Sequence, residues 1–322
     1  MNNLKKIGLT ALAGTLAATT ANAGTLSVGG TADIVYQTHG EGSSTGNPFS
    51  HSQTLSFSGS GDLDNGMTVN YSSSNTGGTF TASTVAIDMG DAGTIGLYSN
   101  TADGGGISAY QDVIPTAGEQ VWDDTGVAST AHGTTNEGIT DMGSRANLAY
   151  NNSFGDITFS ADWARSTEGA EGSVVLVYDN LIDGLSLGYG VGETQEAVNT
   201  TVSTDLETLF VKYTTGPVTL GAQRSVVTPA VSNGTSAATS EKTRDHVGAS
   251  FAINENLSVS AGRSELDFGS GSTLRDQSDS GVSASYTMGS TTIGFVHNKT
   301  SDAAGTLNAD FDVTEVSLTF AF

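Results

Sequence analysis

From Leu26 to the final Phe322, apolar and polar residues alternate with a period of two, the spacing of strands rather than helices. Leu26, Val28, Ala32, Ile34 and Tyr36 share one face, with Ser27, Thr31, Asp33 and Gln37 on the other. Ile157, Phe159, Ala161 and Trp163 alternate with Thr158, Ser160 and Asp162, and Val316, Leu318, Phe320 and Phe322 with Ser317, Thr319 and Ala321. The connections between these segments fall into two classes that take turns along the chain. Tight ones lie at 63–66, 90–93, 154–156, 181–184, 215–217, 254–256 and 289–290, where Asn65-Gly66 and similar pairs carry hairpin chemistry. Longer ones lie near 39–52, 76–79, 101–142, 166–171, 193–202, 228–242, 268–277 and 300–309. Seven turns and eight loops join sixteen strands. All turns then fall at one end and all loops at the other.

A soluble sandwich also alternates, but it does not sort its connections by end. A membrane barrel does, with short periplasmic turns and longer external loops. The predicted fold is an all-β transmembrane antiparallel barrel of sixteen strands with both termini at the turn end. Tyr71, Tyr150, Tyr178, Tyr189, Tyr213, Phe251, Tyr286, Phe320 and Phe322 cluster near that end, as an interfacial aromatic girdle would. No stretch approaches eighteen apolar residues, so a closed barrel is the only spanning structure open to this chain.

The N-terminus fits export. Lys5 and Lys6 precede a short apolar run, and Ala21-Asn22-Ala23 is a cleavage site of the small-x-small type. Residues 1–23 are expected to be a removed signal peptide and 24–322 the barrel. The net charge of −23 repels nucleic acid. The absence of cysteine removes disulfides, thiolate metal sites and a cysteine nucleophile.

The opening strand, the run Leu55-Ser56-Phe57-Ser58-Gly59 leading to Asp64-Asn65-Gly66-Met67, the run Ile87 to Ile95 and the Phe322 terminus resemble the Gram-negative general porins, especially the alphaproteobacterial type. The resemblance implies a homotrimer in the bacterial outer membrane. It would contact lipid and lipopolysaccharide and admit small hydrophilic solutes and ions by passive diffusion. It also implies that Phe322 is an assembly signal for the outer-membrane assembly machinery, and that the third long loop folds into the lumen.

That loop, 101–142, holds Asp103, Asp112, Glu119, Asp123, Asp124, Glu137 and Asp141 and no Lys or Arg. Asp112, Glu119, Asp123 and Asp124 are the candidate acidic constriction. Ile107, Tyr110, Val113, Ile114, Val121 and Trp122 are candidate anchors. Strand parity points Arg145, Lys212 and Arg244 into the lumen, where they are expected to face the loop, set up a transverse field and leave a mild cation preference. Parity turns Arg224 and Arg263 outward, but Leu266 and Phe268 change phase, so a bulge is expected near Arg263. Arg165, near a loop end, is placed to snorkel.

Enzyme signals are weak. The five histidines show no ligand spacing, and Asp62-Leu63-Asp64-Asn65-Gly66 is a hairpin turn rather than a calcium loop. No cofactor is expected beyond weak Ca²⁺ binding by acidic loops. The alternatives are a secreted surface-layer or adhesin protein and, less well supported, an outer-membrane barrel enzyme.

Overall fold

The computed structural model describes residues 26–40, 46–100, 104–123, 139–140, 142, 146–165, 169–196, 199–230, 239–270 and 272–322. The expected signal peptide lies outside them. Sixteen strands form one closed antiparallel barrel: β1 Leu26–His39, β2 Phe49–Asp62, β3 Thr68–Thr76, β4 Thr79–Asp88, β5 Thr94–Asn100, β6 Asn147–Phe154, β7 Ile157–Arg165, β8 Ala170–Asp179, β9 Leu185–Glu196, β10 Asn199–Thr215, β11 Val218–Thr228, β12 Lys242–Ala252, β13 Leu257–Asp267, β14 Gln277–Met288, β15 Thr291–Ser301 and β16 Phe311–Ala321. Each strand pairs with its sequence neighbours, and β1 closes on β16. Past the end of β16, Gly30 N–H donates to Phe322 O at 2.8 Å and Phe322 N–H to Gly30 O at 3.0 Å.

The alternation decides which face meets what. Leu97, Trp163, Leu176, Leu209, Leu220, Val247 and Val282 lie on the outer face and are exposed. In lipid these side chains are buried, and the hydrogen-bonded ladder leaves no strand edge to satisfy. The tight turns match the expected positions. At Gly66 φ is +84°, a left-handed value that glycine adopts without a Cβ penalty.

Three expectations are corrected. The strands reach further into two loops than polarity implies: β2 starts at Phe49, and β9 and β10 run to Glu196 and from Asn199, with a register shift between Asn199 and Ser203. There is no bulge at Arg263, because β12 and β13 pair without a break from Thr243–Asp267 to Ala252–Ser258. The phase change arises because Leu266 and Phe268 are inward residues, fully buried against the loop inside the barrel.

Arg224 and Arg263 point outward, each in an ion pair. Arg224 makes two bonds to Asp245 at 2.7 and 2.6 Å, and Arg263 Nη2 lies 2.6 Å from Glu265. Pairing offsets the cost of an outward charge. Arg165 ends β7 at the loop side, exposed.

Candidate functional site

The connection from β5 to β6 turns into the barrel. Its stretch 104–123 runs along the inner wall from β6 round to β15. At the start Gly106 has φ +68°, and a Cβ there would collide with the side chains of Asp162 and Ser173. Only glycine lets the chain come this close. Gly106 N–H donates to Ser160 Oγ at 2.8 Å and Ile107 N–H to Ser173 Oγ at 2.7 Å, while Ser173 donates to Asp162.

Further round, Gln223 of β11 accepts from Val113 N–H at 3.0 Å and donates to Tyr110 O at 2.8 Å. Ser260 of β13 accepts from Ala117 N–H at 2.8 Å, and Asn298 of β15 donates to Gln120 O at 2.8 Å. These loop backbone groups are therefore satisfied by inward polar side chains of the wall, as burial requires. Apolar contacts add to this. Ile107, Ile139 and Met142 pack with Val175, Val177, Leu206, Phe210, Val227, Leu266 and Phe268, and Tyr110 stacks on Phe210 at 5.7 Å. At Gly248 of β12 a Cβ would stand 2.6 Å from Ile114.

The seat of the loop is polar at one point. Arg244 of β12 is 3 % exposed, and its guanidinium carbon sits 4.1 Å above the Trp122 ring. Its three nitrogens make no hydrogen bond. Asp279, Asp112 and Asp123 supply the surrounding negative charge. Asp279 is itself held by Gln277 and Thr300. His246, on the same face, meets Trp122 edge-on at 4.6 Å. A cation over an indole, with carboxylates near it, is attracted from both sides.

The expected site residues divide as follows. Asp112 and Asp123 turn toward the wall and Arg244. Asp123 accepts from Gln120 N–H at 2.9 Å. Burial pushes the Asp112 carboxyl up to about 7, against the opposing pull of Arg244. Glu119 is partly buried. Lys212 shares the inward face of β10 with Thr208 and Phe210 and is partly buried. Arg244 faces inward, as parity requires, but beneath the loop rather than across the lumen from it. Parity fixes the face of a strand and says nothing about which stretch of wall a loop covers. Asp124 and Arg145 lie outside the described residues, and Phe322 is exposed.

Sequence reasoning passed over Ser160, Ser173, Gln223, Ser260, Asn298 and Asp279. Their signal was present as polar residues at inward positions of β7 to β15.

The wall divides in two by exposure. Inward residues under the loop, such as Ser160, Ser173, Gln223, His246, Ser264 and Asn298, are buried. On β2 and β3, inward Ser52, Ser56, Ser58, Ser60, Asn70 and Ser72 are exposed. An open recess of about 360 Å³ lies before Ser27, Ser58, Asn70, Ser72 and Thr84. Among the described residues, the open space therefore lies before β1 to β4.

The family model for Gram-negative porins matches residues 8–322. No curated protein sequence matches the chain. Among solved structures, the chain is similar to an anion-selective porin from Comamonas acidovorans, with TM-score 0.67 and 15% identity, over 92% of this chain and 99% of that one. It is equally similar to Salmonella typhi OmpF in complex with daunomycin, with TM-score 0.67 and 15% identity, over 93% and 98%. OmpT, an outer membrane protein of Vibrio cholerae, superposes with TM-score 0.63 at 9% identity, over 93% and 98%.

Proposed function

Because the chain belongs to the Gram-negative porin family, and so is an outer-membrane channel for small solutes, we propose that it passes small hydrophilic solutes and ions by diffusion with a mild preference for cations. The observation that supports this best is the exposed polar wall of β1 to β4, away from the stretch 104–123 that lines β6 to β15. Sixteen strands enclose more space than their side chains fill. No covalent step is needed.

The fold does not fix the sign of the preference, since one structural neighbour is an anion-selective porin. The sign must come from this chain's own charges. They sum to −23, which attracts cations to the mouths. By resemblance, the working unit is a homotrimer in lipid and lipopolysaccharide, and Phe322 is the mark by which the assembly machinery takes up the chain.

Purified protein in planar bilayers under a KCl gradient tests the reading. Ohmic steps with a reversal potential of cation sign in dilute salt are expected, fading in concentrated salt as screening shortens. Absence of channels, or anion preference in dilute salt, would overturn it.

A further inference from the structure

Charge interrupts the outer face on β11 to β13. Arg224, Asp245, Arg263 and Glu265 point away from the lumen in two ion pairs, with side chains 61 % and 47 % exposed in one and 61 % and 59 % in the other. Between them and the turns the outward residues are apolar, Val218, Leu220 and Ala222 on β11 and Phe251, Ala249 and Val247 on β12. The pairs therefore stand where the apolar belt ends on the loop side. Neither pair uses up its groups. Arg224 reaches Asp245 through Nε and Nη2, and Arg263 reaches Glu265 through Nη2. A guanidinium carries five donors, so each keeps Nη1 for another acceptor. Asp245 and Glu265 are directly opposed across the ladder, which sets their Cβ atoms about 5 Å apart. Two carboxylates thus stand side by side, each tied to one base.

On the turn side of Arg224 and Asp245 the surface is hollow. Leu209 is opposed to Arg224, and Val211 to Ala222, which in turn faces Val247. Ala222 is the smallest side chain of its row. Over it opens a groove of about 400 Å³, walled by Leu187, Leu209, Val211 and Val247 and reaching Arg224 and Asp245. A second groove of about 250 Å³ lies before Ile157, Leu176, Tyr178 and Tyr189. The two share Leu187 and Leu209 as a common ridge.

We propose that this patch binds one lipid whose headgroup joins a phosphate to a primary ammonium and whose two acyl chains lie in the two grooves. The inference does not depend on the ion preference of the channel. The phosphate takes the Nη1 donors of Arg224, a charge-assisted contact. The ammonium has three N–H donors. It sits between Asp245 and Glu265 and relieves the repulsion of directly opposed like charges. The chains pass from there toward the turns, on either side of the ridge of Leu187 and Leu209. Charge decides the headgroup class. Arg224, Asp245, Arg263 and Glu265 sum to zero and carry both signs, as this headgroup does. A headgroup with a phosphate alone brings no cation for the two carboxylates. A quaternary ammonium has no N–H and cannot bond them.

Purified, delipidated protein in detergent, titrated with diacyl lipids and read by native mass spectrometry, tests this. One phosphoethanolamine lipid per chain is expected to stay bound, about tenfold more tightly than phosphocholine or phosphoglycerol lipids with the same chains. Ala222→Phe fills the first groove and is expected to weaken that binding by about tenfold. Glu265→Gln removes one carboxylate and should bring the phosphoethanolamine and phosphocholine lipids to within about twofold of each other. Heat-shifted electrophoretic migration reports whether each variant has folded, and Val211→Trp fills the same groove should Ala222→Phe not fold. Equal binding of the three lipids by the wild type, or unchanged binding in the groove variant, overturns the inference. So does lipopolysaccharide displacing the phosphoethanolamine lipid at lower concentration than the lipid itself binds, since the site is then one for phosphate without ammonium.

Discussion

Asp112→Asn tests whether the seating of the inward loop is tied to a proton. Asp112 lies between the loop and the Arg244 wall, and burial holds its carboxyl at about 7, against 3.8 for an ordinary aspartate. At about 1.4 kcal/mol per tenfold change in proton affinity, ionising Asp112 in the seated loop costs about 4 kcal/mol more than in water. The sign follows from which state holds the proton. Between about pH 4 and pH 7 the seated loop keeps a proton that a detached loop gives up. Seating is therefore firmest below about pH 4, weakens as pH rises through this window, and levels off above about 7. Single-channel current noise is expected to grow from pH 5 to pH 8 in the wild type. In Asp112→Asn, which keeps the shape and cannot ionise, the noise should stay low and flat. Arg244→Gln removes the charge that pulls Asp112 down, so the midpoint should move to higher pH. A flat wild-type profile, or an unchanged profile in Asp112→Asn, would refute the reasoning.

Trp122→Ala removes a fully buried ring from between Arg244 and His246. At about 3–5 kcal/mol for such a truncation, the loop should exchange amide hydrogens faster over 104–123 while the strands stay protected; equal loop protection would count against Trp122 holding the loop to the wall. Gly248→Val meets Ile114 and should lift that turn of the loop off the wall, seen as a changed conductance with normal barrel content by circular dichroism. Deleting Phe322 should lower the amount of inserted protein far more than it alters the conductance of what is inserted, and normal membrane levels would remove its assembly role. Asp245→Ala leaves Arg224 outward without its partner and should reduce refolding yield into bilayers, measured by heat-shifted electrophoretic migration.

Strand count, turn positions and the division of faces were legible because a barrel wall repeats every two residues and its turns need glycine and asparagine. Loop extents were less so. Glu193 and Thr194 fall in the expected loop 193–202, yet they pair with Asp205 and Thr204 in the ladder, since a strand outside the membrane band needs no apolar face. The bulge expected at Arg263 fails for a different reason. Leu266 and Phe268 read as lipid-facing by their polarity, whereas the inward loop gives the lumen an apolar patch of its own. The charge arrangement was hardest to foresee. That Arg244 would lie under the loop depends on where the non-repeating stretch 104–123 settles, which is decided by Gly106, Gly248 and a set of serines and amides without any periodic signature.

The closure of β1 on β16 has a consequence for how the molecule is made. Every other pairing joins neighbours in sequence and could form as the chain emerges. The closing one joins its two ends, with Gly30 waiting for Phe322. Until then two long strand edges lie open, and pairing them means closing the largest loop the chain can form. Folding should be slow at this last step, and the unfinished sheet is the species most exposed to sticking to its own copies. A holding partner during transit, and a surface that offers the first strand a temporary neighbour, are what such an order of events demands.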